Sequence, residues 1–177
     1  GAVYNEGTIN FDGDVLFSNN TAVEGADIYN DGIVNIVSGT TTIDTVVAGE
    51  GTLNVASDAI LNIGTATVQQ TQINIDGIVQ ASVLSDRSYG RLLGLIEAKD
   101  SAELKLNVGS VGSYKIFDSQ ADIIVTAGAT YDVSQEEDGT VVITTKAVED
   151  IAADAGISTQ AAGAIAGLAN ATDRNLQ

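Results

Sequence analysis

Short runs of alternating apolar and polar residues fill most of the chain. They are clearest over residues 33–37, 53–55, 60–63 and 73–79, where β-branched residues alternate with Asn, Asp, Gln or Thr. This two-residue alternation predicts half-buried β-strands. Glycine and asparagine at the joints between the runs supply the positive-φ conformations that tight corners need. No helical periodicity is found before residue 147.

Two early segments repeat each other. Residues 1–11 read GAVYNEGTINF, residues 25–36 read GADIYNDGIVNI, and a shorter copy, GTLNV, occupies residues 51–55. Repeats of this kind are typical of coils that stack in register. We therefore expect Tyr4 beside Tyr29, Asn5 beside Asn30, and Asn10, Asn35 and Asn54 in one column. The candidate surface positions are these seven residues: Tyr4, Asn5, Asn10, Tyr29, Asn30, Asn35 and Asn54.

Short strands, glycine corners and a repeat of roughly 20–25 residues predict a β-solenoid, because one such coil cannot bury its inward face alone. The expected fold class is all-β: a right-handed parallel β-helix with a short C-terminal α-helical segment. Coils spaced by about 4.8 Å would give about six or seven coils over residues 1–146 and a rod about 30 Å long. The asparagines would form an internal hydrogen-bonded ladder or occupy corners and outward positions.

The pattern changes after residue 146. One helical face of residues 147–155 would carry Val148, Ile151, Ala152 and Ala155. Gly156 is a candidate for the end of that helix, and Ser158 for the N-cap of a second helix. The apolar stripe predicted for the second helix consists of Ala161, Ala162, Ile165, Leu168 and Ala169.

Three segments are therefore expected: solenoid repeats over residues 1–112, closing strands over 113–146, and helices over 147–177. The closing strands would be either the last strands of the solenoid or a separate terminal element. The helices would be a linker, a cap over the open solenoid end, or an element that packs on a second copy.

The composition excludes several classes of protein. The chain has 24 acidic and 7 basic residues, a net charge of -17, and no Cys, His, Met, Trp or Pro. Disulfides, thiolate metal sites and histidine bases are thus excluded, and nucleic acid or an anionic membrane would be repelled. The first basic residue is Arg87, so we expect the acids to coat the outside of the repeats. The missing Met indicates a piece of a longer protein.

Candidate chemistry is sparse. Asp12 and Asp14 would share a strand face at a spacing that suits a pair of glycosidase carboxylates, or they would form an acidic turn. Arg87 and Arg91 would bind an anionic sugar or pair with nearby carboxylates. Calcium would be attracted diffusely, because the ligand spacing of known calcium loops is missing. We expect no enzyme activity, no catalytic residue, no metal site and no cofactor.

The residues GAVYNEGTINFDGDVLFSNNTAVEGADIYNDGIVNI resemble passenger regions of Gram-negative autotransporters, including the polymorphic outer-membrane proteins. That group repeats a Gly-Gly-Ala-aliphatic motif, which residues 1–3 and 25–28 match in part. It also repeats a Phe-x-x-Asn motif, matched by residues 17–20. Residues 113–145 are similar to the end of such a passenger. The resemblance implies the C-terminal part of a passenger, exposed on the bacterial surface and anchored through the outer membrane.

The resulting functional hypothesis is a non-catalytic surface protein that acts as a stiff stalk and an adhesive surface. Its partner would be a host or bacterial surface ligand, either protein or glycan, or a second copy of itself. No direct membrane span is expected within the chain. Two alternatives stay open: a self-assembling extracellular fibre subunit, and a β-helix polysaccharide lyase or hydrolase. Tyr4 and Tyr29 would form an exposed aromatic ladder or pack against the flanking coils.

Overall fold

The computed structural model describes the backbone of residues 1–175 and the side chains of residues 1–168. The described chain forms sixteen strands followed by two helices. The strands are β1 (Val3–Asn5), β2 (Thr8–Asp12), β3 (Val15–Leu16), β4 (Ile28–Asn30), β5 (Ile33–Thr42), β6 (Val46–Ala48), β7 (Thr52–Val55), β8 (Ala59–Gly64), β9 (Thr67–Ile75), β10 (Ile78–Val83), β11 (Arg91–Ala98), β12 (Glu103–Val108), β13 (Gly112–Tyr114), β14 (Ile124–Thr126), β15 (Tyr131–Gln135) and β16 (Val141–Thr145). The helices are α1 (Val148–Ala155) and α2 (Thr159–Asn175).

The strands from β1 to β12, together with β14, wind around three faces. The first face holds β1, β4, β6 and the first halves of β9 and β11. The second face holds β2, the first half of β5, β7 and the second halves of β9 and β11. The third face holds β3, the second half of β5, β8, β10, β12 and β14. Every one of these pairs is parallel, so the predicted β-solenoid is confirmed, with about six turns.

The predicted register is also that of the structure. Tyr4 pairs with Tyr29, and Asn5 pairs with Asn30, at the expected offset. On the second face, Asn10, Asn35, Asn54 and Asn74 are successive Cα partners. The steps between them are 25, 19 and 20 residues long. The coils therefore differ in length between these positions while the four asparagines stay in register, which explains their irregular spacing.

The alternation along each strand builds the core. On the second face, Val34, Leu53 and Ile73 occupy one inward column, and all three are buried. Their neighbours in sequence point outward and are polar or half-exposed. Each coil thus buries its apolar side chains only because another coil lies above or below it, and the stacked columns form one continuous core.

One corner shows why glycine is required there. A Cβ on Gly32 would lie 2.1 Å from the carbonyl oxygen of Gly7, its counterpart in the preceding coil. The equivalent Cβ on Gly7 would meet nothing within 4 Å. The corner after β4 therefore lets two backbones approach more closely than any side chain permits.

Residues 113–146 contain two kinds of pairing. β14 still pairs in parallel with β12 and so belongs to the last turn of the solenoid. β13, β16 and β15 form a separate antiparallel sheet. This sheet buries Tyr114, Val141 and Ile143 within the same core as the solenoid. The antiparallel sheet therefore closes the C-terminal end of the rod, where a further parallel strand would otherwise be needed.

The two helices pack on each other around a small core of their own. It consists of Ile151, Ala152, Ala162 and Ala166, with Val148 at its edge. Gly156 ends α1 in the left-handed conformation, with φ of 63°, and the Ser158 hydroxyl accepts a hydrogen bond from the Ala161 amide. Both predicted caps are confirmed. No helix among the described residues is long and apolar enough to cross a membrane.

The predicted apolar stripes of the helices are only partly right. Ala155 and Ala161 are exposed, and so are Ile165 and Leu168. Ala162 is buried as predicted, and Ala166, which was not predicted, is buried with it, because small side chains one turn apart let α2 approach α1 closely. The side chain of Ala169 lies outside the described residues.

Candidate functional site

Four asparagines form a ladder on the outside of the second face. The Nδ2 atom of Asn35 donates to Oδ1 of Asn10, that of Asn54 donates to Asn35, and that of Asn74 donates to Asn54, each at 2.8 Å. Gln72 continues the chain with a 2.7 Å bond from its Nε2 to Asn74 Oδ1. The outward alternative is therefore right for these residues and the internal ladder is wrong for them, although the outward amides do bond to one another as a ladder. The ladder is an array of parallel amides along the rod.

A groove runs beside this asparagine ladder. Val37, Ala56 and Asp76 each lie two residues after a ladder asparagine, so they form the next outward column on the same face. The groove between the two columns has a volume of about 340 Å³. We call it the axial groove, because it follows the solenoid axis across several coils. Its lining is uncharged except at Asp76, which pairs with Lys99.

A second amide network lies inside the corner between the first and second faces. Asn5 Nδ2 donates to Asn30 Oδ1 at 2.7 Å, and Asn30 Nδ2 donates to Gln70 Oε1 at 2.6 Å. Gln70 in turn donates to the carbonyl oxygens of Gln69 and Ala48. Asn30 and Gln70 are buried, so each amide must satisfy its hydrogen bonds within the protein.

The glycines of the intervening coil let Gln70 reach Asn30. The two residues are 40 positions apart, and the corner between them carries Gly49 and Gly51. A Cβ on Gly51 would lie 2.5 Å from Asn30 Nδ2, and a Cβ on Gly49 would lie 2.2 Å from the Asn30 carbonyl oxygen. The missing side chains therefore leave the space in which the two amides meet.

The two tyrosines stack on the outside of the first face. The rings of Tyr4 and Tyr29 lie 5.5 Å apart and are inclined by 10°; Tyr4 is 67% exposed. The Tyr4 hydroxyl donates to Glu6 at 3.2 Å, and this bond, with the charge of Glu6, raises the pKa of Tyr4. The charge of Asp31, followed by burial, raises the pKa of Tyr29. The aromatic pair, in which Tyr4 is exposed and Tyr29 half-buried, thus lies in a negative potential.

The carboxylates of the repeats bind backbone and side-chain donors of neighbouring coils. Asp12 accepts a bond from the Ser38 hydroxyl at 2.6 Å, and Asp14 accepts one from the Thr40 amide at 2.9 Å. They flank Gly13, which has φ of 97°. The pair therefore forms an acidic turn whose oxygens hold the next coil in place.

Two buried polar side chains were not predicted from the sequence. The carboxylate of Asp27 accepts hydrogen bonds from the Asn20 side chain and from the amides of Asp44 and Thr45, each at 2.8 Å. Gln70 is the other. Asp27 lies in the second copy of the repeat, but the first copy has no acid at the matching place, and Gln70 lies outside the repeat, so the pattern singled out neither residue. Asp27 and Gln70 each form hydrogen bonds between neighbouring coils at a corner.

Arg87 has a structural role that the sequence did not predict. Its guanidinium lies 5.0 Å from the ring centroid of Tyr114 and reaches the Val111 carbonyl oxygen at 3.4 Å. It thus contacts the antiparallel sheet rather than a carboxylate. Among the described residues no group of three or more His, Cys, Asp or Glu side chains is placed to hold a metal ion.

No protein-family model matches the chain, and neither a curated protein nor a solved structure matches it significantly.

Proposed function

We propose that the chain is a non-catalytic segment of a bacterial surface protein, of the autotransporter passenger kind, that serves as a stalk and an adhesive surface. The observation that carries the proposal is the set of in-register outward columns, from the tyrosine stack to the asparagine ladder. These columns present the same chemistry at successive levels of a rod. Such a surface suits recognition along a line, whereas an enzyme needs a pocket with convergent groups.

The charge distribution supports an extracellular rod. The first 86 residues contain acidic residues but no basic one. Carboxylates at the corners accept hydrogen bonds from the next coil. An outward carboxylate coat opposes pairing between the edges of separate rods. The resemblance of residues 1–36 to autotransporter passengers points to the same location, with attachment through the outer membrane.

The location is tested with antibodies raised against this chain. Intact and permeabilised cells of the producing organism are labelled and compared, with a cytoplasmic protein as the control. Equal labelling of intact and permeabilised cells is expected for a surface protein. Labelling only after permeabilisation would contradict the proposal.

A further inference from the structure

We propose that the axial groove binds a neutral, linear polysaccharide that lies parallel to the solenoid axis. The inference rests on the proposed function, because it names the class of partner that the adhesive surface takes.

The ladder offers the hydrogen-bonding groups that such a ligand needs. Asn35 and Asn54 each use one amide hydrogen and one lone pair of Oδ1 within the ladder. A primary amide carries two hydrogens and two lone pairs, so each of them keeps one donor and one acceptor for a ligand. A sugar hydroxyl can both donate and accept, and it therefore matches this pair of groups.

The ladder also holds its amides in place before any ligand arrives. Each internal rung is fixed by the rung above and the rung below, at 2.8 Å on both sides. Binding then costs little side-chain entropy. The opposite wall carries Val37 and Ala56, whose apolar surfaces suit the C–H faces of sugar rings.

Charge selects a neutral chain over an anionic one. The amides of the ladder are uncharged, and the one carboxylate of the groove lining, Asp76, is paired with Lys99 at 2.8 Å. No basic residue precedes Arg87, and the net charge is -17. A polyanionic glycan would therefore be repelled by the net negative charge of the protein and would find no cation among the lining residues of the groove.

The period of the groove disfavours an extended peptide. Neighbouring coils are spaced by about 4.8 Å, whereas an extended peptide advances by about 3.4 Å per residue. Each residue of a peptide along the groove would fall about 1.4 Å short of the next rung, so successive residues could not each bond to successive amides. It would also cross the strands, whose backbone groups already pair with adjacent coils. A chain of sugar rings, with hydroxyls repeated at longer intervals, matches the rungs better.

The test uses two variants of the same strand. Val37 and Ile33 both lie on β5 and are both 41% exposed, but only Val37 lines the groove. Val37→Phe would fill the groove, and Ile33→Phe is the matched control. Binding of hexamers of β-1,4-linked glucose, β-1,4-linked N-acetylglucosamine and β-1,4-linked mannose is measured by calorimetry and by ligand-observed NMR. A galacturonic acid hexamer and an uncharged decapeptide serve as comparison ligands. Circular dichroism verifies that both variants are folded.

Saturable binding of at least one neutral hexamer is expected, with the affinity of Val37→Phe reduced roughly tenfold, a difference of about 1.4 kcal/mol. Ile33→Phe should bind as the parent protein does. The inference is overturned if no neutral hexamer binds, if the two variants bind equally, or if only the peptide or the galacturonic acid hexamer binds. Surface labelling of cells is independent of these results, so failure here leaves the proposed location to be judged separately.

Discussion

Replacing Asn30 by alanine should destabilise the solenoid more than the loss of any exposed asparagine. The Asn30 amide donates to Gln70 Oε1 at 2.6 Å, and its Oδ1 accepts from the Gly32 amide at 3.2 Å. Gln70 is only 2% exposed, so its oxygen would lose its partner away from water. A buried polar group left unsatisfied costs about 1–3 kcal/mol. Gln70 loses its partner outright, whereas the Gly32 amide keeps a bond to the Asn5 carbonyl oxygen at 3.2 Å, so the expected cost is about 2 kcal/mol.

The free energy of unfolding is measured by urea denaturation, followed by circular dichroism. Asn10→Ala is the matched control, because Asn10 lies at the exposed end of the outer ladder and its side chain accepts a single ladder bond. That variant should change the free energy of unfolding by no more than about 0.5 kcal/mol. A double-mutant cycle with Gln70→Ala should show a coupling energy of about 1–2 kcal/mol. Equal costs for Asn30→Ala and Asn10→Ala would refute the role assigned to the corner network.

Three further predictions follow from particular contacts. Gly32→Ala should lower the free energy of unfolding, measured by urea denaturation, by more than about 2 kcal/mol, because the new Cβ would collide with the backbone of the preceding coil. Gly7→Ala, at the equivalent open corner, should be nearly neutral in the same assay. Similar costs for the two variants would contradict the close approach of the backbones at Gly32. Truncation after Lys146 should remove the helical signal from the circular dichroism spectrum and leave β-structure that still unfolds cooperatively, because the helices have their own core. Complete unfolding of the truncated chain would contradict this. Glu6→Gln should lower the raised pKa of Tyr4 toward its ordinary value, as followed by NMR titration of the ring signals, and an unchanged pKa would show that Glu6 is not the cause.

The register of the first two coils was predictable because the two coils carry the same residue types at matching positions. Tyr4 and Tyr29, and Asn10 and Asn35, share positions in the repeat and share columns in the fold. Glycine corners and alternating apolar residues completed the prediction of a solenoid. The local signals were sufficient because these two coils repeat the same residues, so matching residues become Cα partners.

The corner network was not predictable in the same way. Gln70 contacts Asn30 across 40 residues and past a coil that contributes two glycines. This contact depends on the absence of side chains at Gly49 and Gly51. The pattern of apolar and polar residues does not show which glycines leave space for a distant side chain. Asp27 likewise binds amides of the next coil, and its neighbours in sequence do not indicate that it is buried.

The outer ladder was not predicted as such, because the two alternatives were an internal ladder and corner or outward positions. Each ladder asparagine lies between two apolar residues, and this triplet favours a strand without distinguishing inward from outward positions. Asn62 and Asn107 share the same triplet, yet they lie on the third face, where Asn62 is paired with Gln80 and Asn107 with Ser82. Membership of the ladder therefore depends on which face a strand occupies, and that is set by the length of the preceding corners.

The chain contains no cysteine, so pairs of introduced cysteines can report the register of the coils directly. Thr8 and Ile33 are Cα partners on the second face, and a coil spacing of about 4.8 Å lies within the range that a disulfide bridges. Asn35 is offset from that position by two residues, which places it about 8 Å from Thr8. Thr8→Cys with Ile33→Cys should oxidise readily under mild conditions, as detected by mass spectrometry, whereas Thr8→Cys with Asn35→Cys should not. Efficient bridging of the offset pair, without bridging of the aligned pair, would contradict the stacked register on which the ladder and its groove depend.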